Sequence, residues 1–196
     1  MEFVNGTTEI SDDFLSSALH QMAVFLARLH SLDTSAFRGL SIPTREDPLH
    51  GILDCIDSGT CSRRLSHFVA SHTVHPTPPS LLHGDFWPGN IMWAHDQLAA
   101  VIDWEDAAFG PPASDVACCR AELNAMFDSF AAKRFTELYL DACSAEIHDL
   151  FLWDIYVGST ALAAMHTWGL EPQVEARRRA QTQDFVDHAT ESLLLA

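Results

Sequence analysis

The chain has 196 residues, enough for one domain with its own core, and a 47% apolar share that excludes wholesale disorder. Its formal net charge is −16, from 27 acidic and 11 basic side chains. That balance disfavours nucleic-acid binding, which needs clustered Lys and Arg. The acidity is compatible with a cationic small substrate, but the plainer reading is a solubilising surface. Lys133 is the only lysine, so a phosphate-gripping lysine has no candidate in the first hundred residues. Five cysteines in no framework spacing read as reduced thiols of a cytoplasmic protein. The N-terminus, MEFVNGTTEI, has no basic region or long apolar run, so it is not a secretory signal. The apolar stretch from Phe151 to Leu170 is broken by Asp154, Gly158 and His166, which suits a core helix and not a membrane span.

Residues Met1 to Gly6 read as a short strand-like piece ending in an Asn-Gly turn. Ser11-Asp12-Asp13 offers a helix start, and Phe14, Ala18, Met22, Phe25, Leu26 and Leu29 follow at helical spacing to about Leu32. Asp33 to Pro48 is loop-like. Leu49 to His75 predicts two short helices interrupted near Ser58-Gly59, and Pro76, Pro78 and Pro79 end that region. Asn90 to Ala94 and Leu98 to Trp104 predict a β-hairpin about His95-Asp96-Gln97. Beyond Gly110-Pro111-Pro112 the pattern is helical. One helix is capped by Ser114 or Asp115, one covers about Ala125 to Ala142, one Glu146 to Trp168, and a last one Val174 to Leu195. The expected fold class is α+β and mostly α-helical, with a small β-hairpin at its functional centre.

The chemistry concentrates in Leu81 to Glu105, LLHGDFWPGNIMWAHDQLAAVIDWE. Asp85 follows a glycine turn, where a carboxylate can face a cleft and orient a substrate hydroxyl for attack on phosphorus. Asn90 lies five residues on and can offer its amide oxygen to a metal. Asp103 comes thirteen residues later, at the end of an apolar strand, where an acidic residue is unfavoured unless it faces a site. Mg²⁺ takes one or two protein oxygens plus water and phosphate, which Asn90 and Asp103 can supply. Each acid alone reads as a turn or cap residue; the set does not. Gly84 to Gly89 has P-loop spacing, but Asn90-Ile91 stands where Lys and a hydroxyl residue are needed, so that reading fails.

HGDFWPGNI, followed by VIDWEDA and GPPASDVA, resembles the core of the aminoglycoside phosphotransferase and choline kinase family, which has a protein-kinase-like fold. MEFVNG is similar to that family's interlobe hinge, and Phe25 to His30 to its LA-x-LH helix. The resemblance implies ATP-dependent phosphorylation of a hydroxyl on a small, perhaps cationic, molecule such as an aminoglycoside or amino alcohol. It implies Asp85 as catalytic base, His83 as support of the catalytic loop, and Asn90 and Asp103 as Mg²⁺ ligands. It places the Glu2, Phe3 and Val4 backbone at the adenine and has Asp115 brace the loop from a helix start. Trp87, Glu105 and Asp106 stand as substrate candidates, the two acids being equally well read as a solvated strand end.

In such kinases an N-terminal lobe precedes the hinge and supplies the ATP clamp. Here Met1 already stands in the hinge, so the chain is expected to be a single C-terminal lobe over 1–196, with 1–6 a hinge remnant, 81–106 the catalytic loop and metal hairpin, and the N-terminal lobe absent. Little activity is expected of it alone. A separate lobe chain or a second copy is expected over Met1, Phe3 and Val4, and a binding role without turnover is the alternative. His67, His72 and His75 match no common zinc spacing. Cys118 and Cys119 point to different helix faces and read as buried small residues, not a redox pair. Phe151, Trp153, Tyr156 and Trp168 read as core aromatics, although one of the last three could line a substrate pocket.

Overall fold

The computed structural model describes residues 5–37, 39–45, 47–59, 61–143 and 147–195. The hinge candidates Glu2, Phe3 and Val4, and Met1 beside them, lie outside the described residues. The described chain enters through Thr7, which exchanges backbone hydrogen bonds of 3.0 and 2.8 Å with Trp93. Helix α1 (Asp12–His30) follows, with acids in its first turn and Arg28 and His30 in its last, each sign favoured by the helix dipole. Its Phe14, Ala18, Met22 and Leu26 stripe is buried. Helix α2 (Pro48–Ser58) starts on a proline, with the Asp47 side chain accepting from the Leu49 N–H at 2.7 Å. It stops at Gly59, whose φ of 82° is left-handed. Helix α3 (Leu65–Ser71) completes the pair that the sequence predicts.

Four short strands follow: β1 (Ser80–Leu82), β2 (Ile91–Ala94), β3 (Gln97–Val101) and β4 (Ala108–Gly110). Strands β2 and β3 form the expected antiparallel hairpin. Its turn is tighter than the sequence suggests. Gln97 pairs with Ala94, leaving His95 and Asp96 at φ of 51° and 56°, the double positive φ that matches strand twist. The strand also ends earlier, at Val101, so Asp103 stands on the following loop and not at a strand end. Strands β1 and β4 pair antiparallel, with Leu81 opposite Phe109. This second ladder has no sequence forecast, because three-residue strands are too short to show alternation. It closes residues 83–107 into one loop, with the hairpin inside it.

The helical remainder is α4 (Ala113–Met126), α5 (Ser129–Ala142), α6 (Leu150–Ala164) and α7 (Pro172–Leu195). Ser114 and Asp115 are not caps; both are buried inside the first turn of α4, and Pro112 stands at its cap. The helix expected from about Ala125 begins at Ser129. Phe127, at φ −123° and ψ −90°, breaks the chain, and Asp128 caps α5 by accepting from the Ala131 N–H at 2.8 Å. Met126, Phe127 and Phe130 keep apolar character across the break and hide it. The helix expected from Glu146 begins at Leu150, with Glu146 outside the described residues, and passes into a 3₁₀ turn at Met165–Thr167.

One core cluster joins α1, β2, α4 and α5 through residues such as Met22, Leu26, Phe86 and Phe135. Another joins α2, α3, α6 and α7 through Ile52, Leu65, Leu152 and Val186. Helices α6 and α7 meet closely at Gly158, where a Cβ would lie 2.5 Å from Val186 Cγ2. No helix among the described residues is long and apolar enough to cross a membrane.

The halves are riveted by Arg120 of α4, which grips the fully buried Asp154 of α6 at 3.0 Å through both Nε and Nη2 and donates to Thr136 of α5 at 2.6 Å. Burial pushes the Asp154 carboxyl up to about 6 and outweighs the opposing pull of Arg120. A raised carboxyl favours the folded state most below its unfolded value, near 3.8, and that advantage is lost as pH rises through about 6. Between pH 4 and 7 the wild type should therefore lose up to about 3 kcal/mol of stability relative to Asp154→Asn, as read by urea unfolding. The opposite slope would show that Arg120 holds the carboxylate ionised.

Candidate active site

The site loop begins with a constraint on Gly84. Its φ is 90°, and a Cβ there would lie 1.9 Å from the Asp106 carbonyl oxygen, so only glycine fits. The backbone on either side is held by one carboxylate. Asp115, fully buried in the first turn of α4, accepts from the His83 N–H at 2.7 Å and the Gly84 N–H at 2.9 Å. The same group takes the His30 Nε2–H at 3.2 Å from the end of α1. That leaves His30 Nδ1 to accept the Tyr139 hydroxyl at 2.7 Å, from α5. Burial pushes the Tyr139 phenol well up, which keeps it a donor.

His83 is fully buried and bonded on both ring nitrogens. Nδ1 accepts the Asp85 N–H at 3.3 Å, so Nε2 carries the proton and donates to the Ile102 carbonyl at 2.9 Å. The Trp104 ring lies against it, centroids 4.6 Å apart. The Ile102 N–H in turn donates to the Asn90 carbonyl at 2.9 Å. Ile102 is thus clamped to both His83 and Asn90, and Asp103 is the next residue.

Asp85 is half-buried. Its Oδ2 accepts from Asn90 Nδ2 at 2.9 Å and Trp87 Nε1 at 3.2 Å, while Cys118 Sγ lies 3.6 Å from Oδ1. Asn90 also donates to the Asp85 carbonyl at 2.9 Å, which commits its amide nitrogen and leaves its amide oxygen available. Asp103 is exposed at φ 63°, and among the described residues its carboxylate has no hydrogen-bond partner. A non-glycine residue held left-handed with a bare carboxylate has chemistry suited to a cation. No group of three or more His, Cys, Asp or Glu arranged for a metal occurs among the described residues. Asn90 and Asp103 would supply two oxygens, a number that Mg²⁺ accepts when phosphate and water complete the shell.

Of the sequence candidates, His83, Asp85, Trp87, Asn90 and Asp115 fall in one bonded network, and Asp103 is joined to it through Ile102. Glu105 and Asp106 are exposed. Beside Asp85 opens a cavity of about 300 Å³, whose walls include Arg45, Cys118, Glu122, Tyr156 and Trp168. Trp87, Glu105 and Asp106 are not part of its lining. Two of the late aromatics therefore reach the cavity, while Trp153 is fully buried core. Cys119 is the buried filler expected of the pair, but Cys118 faces Asp85, contrary to expectation. Burial, with the Asp85 charge adding to it, pushes the Cys118 thiol well up. Burial also raises the Glu122 carboxyl, against the Arg178 charge beside it. Arg45, Glu122 and Cys118 carried no local sequence signal, because each borders Asp85 only through the fold.

The model of the phosphotransferase enzyme family matches residues 1–150, and the chain belongs to that family. No curated protein matches it in sequence. Among solved structures, it superposes on the macrolide 2′-phosphotransferase MphH of Brachybacterium faecium with a TM-score of 0.58 at 16% identity, over 92% of this chain and 68% of that one. A choline/ethanolamine kinase family protein of Mesorhizobium loti gives 0.65 at 12%, over 99% and 73%. The GDP complex of aminoglycoside 2′-phosphotransferase-IIIa gives 0.61 at 15%, over 95% and 69%. At such identities the likeness carries the fold.

Asp115→Ala should leave the two loop N–H groups and His30 without their acceptor. A loss of about 3–5 kcal/mol by urea unfolding is expected, the cost of breaking a buried charged network. A loss below about 1 kcal/mol would show that the loop holds itself.

Proposed function

We propose that this chain transfers the terminal phosphoryl group of a nucleoside triphosphate, taken as ATP, to a hydroxyl of a small molecule. The observation that carries the reading is the arrangement around Asp85. Its carboxylate is oriented by Asn90 and Trp87 and borders a cavity, with a free amide oxygen on Asn90 and a bare carboxylate on Asp103 close along the bonded loop. Asp85 accepts the acceptor's hydroxyl proton as its oxygen bonds to phosphorus and the bond to the departing nucleoside diphosphate breaks. Asn90 and Asp103 would hold Mg²⁺, which would neutralise phosphate charge. His83 and Asp115 are positioning residues, acting through the loop backbone. In the same reading residues 1–196 form a kinase-like C-terminal lobe, with 81–106 its catalytic loop and hairpin. None of the described cysteines forms a disulfide, which suits the cytoplasm.

The test is Mg²⁺-dependent turnover of ATP, followed by phosphorus NMR across a panel of hydroxyl acceptors. Asp85→Asn should lower kcat by about 10²–10⁴-fold with folding intact. Transfer that survives this change would remove Asp85 as the base.

A sharper outcome is expected at Asp103. Asp103→Gly relieves a left-handed residue and should gain up to about 1 kcal/mol in stability. The same variant should lose transfer by about two orders of magnitude or more through its metal. Gain of stability with full activity would show that Asp103 is a turn residue only.

A further inference from the structure

The cavity beside Asp85 has two charged walls whose states differ. Glu122 of α4 is ion-paired with Arg178 of α7. The Arg178 guanidinium also lies 5.3 Å from the centre of the Trp168 ring, so it joins two parts of the cavity wall. The acid beyond Asp85 in this lining is therefore already matched by the protein's own cation.

Arg45 is the contrary case. Its backbone N–H donates to the Phe109 carbonyl at 2.7 Å, and its Nη2 donates to the Gly84 carbonyl at 2.8 Å. Its Nε–H is buried without a hydrogen-bond partner, and the Gly84 carbonyl is the one acceptor its side chain meets among the described residues. A guanidinium presents five N–H donors in a rigid fork, and the Gly84 carbonyl uses one side of it. The buried Nε–H is out of a ligand's reach, but the Nη donors that Gly84 leaves unused belong to a residue of the cavity wall, and such a guanidinium is complementary to an anionic oxygen group. It repels an amine cation, which would also find Glu122 taken.

We propose that Arg45 determines acceptor specificity, and that the acceptor is a small hydroxy compound bearing a carboxylate, not a cationic amino alcohol or amino sugar. The proposal rests on the phosphoryl-transfer reading for the role of the site. The cavity, at about 300 Å³, lies at the small end of the range for ligand pockets, which suits a compact acceptor. The anionic oxygen that Arg45 meets could also belong to the transferring phosphoryl group. The lining favours the acceptor, since Tyr156 and Trp168 share the cavity with Arg45 while Asn90 and Asp103 do not border it.

The experiment uses the whole chain and two probe sets: D-glycerate, L-lactate and L-malate, against choline, ethanolamine and kanamycin. Calorimetry reads binding, and labelled ATP reads transfer. Members of the carboxylate set should bind, and their methyl esters should bind about tenfold or more weakly. Arg45→Met should raise the acceptor KM about 10–100-fold while kcat and the nucleotide KM move by no more than a few-fold, with part of the loss restored by Arg45→Lys. Binding confined to the cationic set, equal binding of acids and esters, no binding of any carboxylate, or a defect that falls on the nucleotide KM would each overturn the proposal. Acceptor-free ATP hydrolysis, lost in Asp85→Asn, separates the two readings. Hydrolysis with cation-only binding sinks the acceptor assignment alone. Carboxylate binding without hydrolysis or transfer sinks the phosphoryl-transfer reading and leaves Arg45 as the ligand's anchor.

Discussion

The buried carboxylate of Asp115 is the constraint on which the site depends. An ionised carboxylate removed from water is tolerated only when its lone pairs are met by donors. Here the donors are two consecutive backbone N–H groups and one imidazole N–H. The amides belong to His83 and Gly84, so satisfying the charge fixes the backbone just ahead of Asp85. The position in the first turn of α4 adds the favourable end of a helix dipole. The imidazole is anchored by Tyr139, so α1, α4 and α5 all converge on the loop. The core packing of three helices is thereby expressed as the position of one short loop.

From that anchor the order passes outward through main-chain contacts. His83 uses one ring nitrogen on the Asp85 amide and the other on the Ile102 carbonyl, so one side chain spans both arms of the closed loop. The β1–β4 ladder shuts the base of the loop, and Gly84 lets its two arms pass at van der Waals limits. Asp85 and Asp103 are then left as the more exposed acids of a framework whose other polar groups, the Asn90 amide oxygen apart, are spent on one another. Functional groups placed on such a framework need little reorganisation when charge develops, which is where most of the barrier lowering in phosphoryl transfer arises.

What the sequence made legible was what is local. His83-Gly84-Asp85, Asn90 and Asp103 lie within twenty-one residues, and their spacing is set by one loop and one hairpin. The long helices announce themselves by the burial stripe of α1 and the proline and glycine ends of α2. The paired β1 and β4 were invisible, because three residues carry no alternation and their partners are far apart in the chain. The break at Phe127 was masked by apolar residues on both sides. Cys118 and Cys119 differ by one step around a helix, about 100°, and only the placement of α4 decides which meets Asp85. Arg45 lies forty residues before Asp85, Tyr156 and Trp168 seventy or more after it, and no local pattern draws them to one cavity.

The same contrast bears on charge. A net charge of −16 invites the thought of a cationic substrate, but net charge is a property of the whole surface, and a binding cavity is read from its own walls. Around Asp85 the balance is nearly neutral. Glu122 is offset by Arg178, and the wall that holds Asp85 also carries the unpaired guanidinium of Arg45. The acidic surplus sits elsewhere, on exposed faces such as Asp12 and Asp13 at the start of α1 and Glu105 and Asp106 after the hairpin. There it is screened within about 10 Å by ordinary salt and favours solubility. At the cavity, where water is partly excluded, a single guanidinium with unspent donors weighs more than distant carboxylates, because its interactions are short, directional and weakly screened. The acceptor's charge is therefore set by Arg45 and the Glu122–Arg178 pair, and the overall acidity of the chain has little part in it.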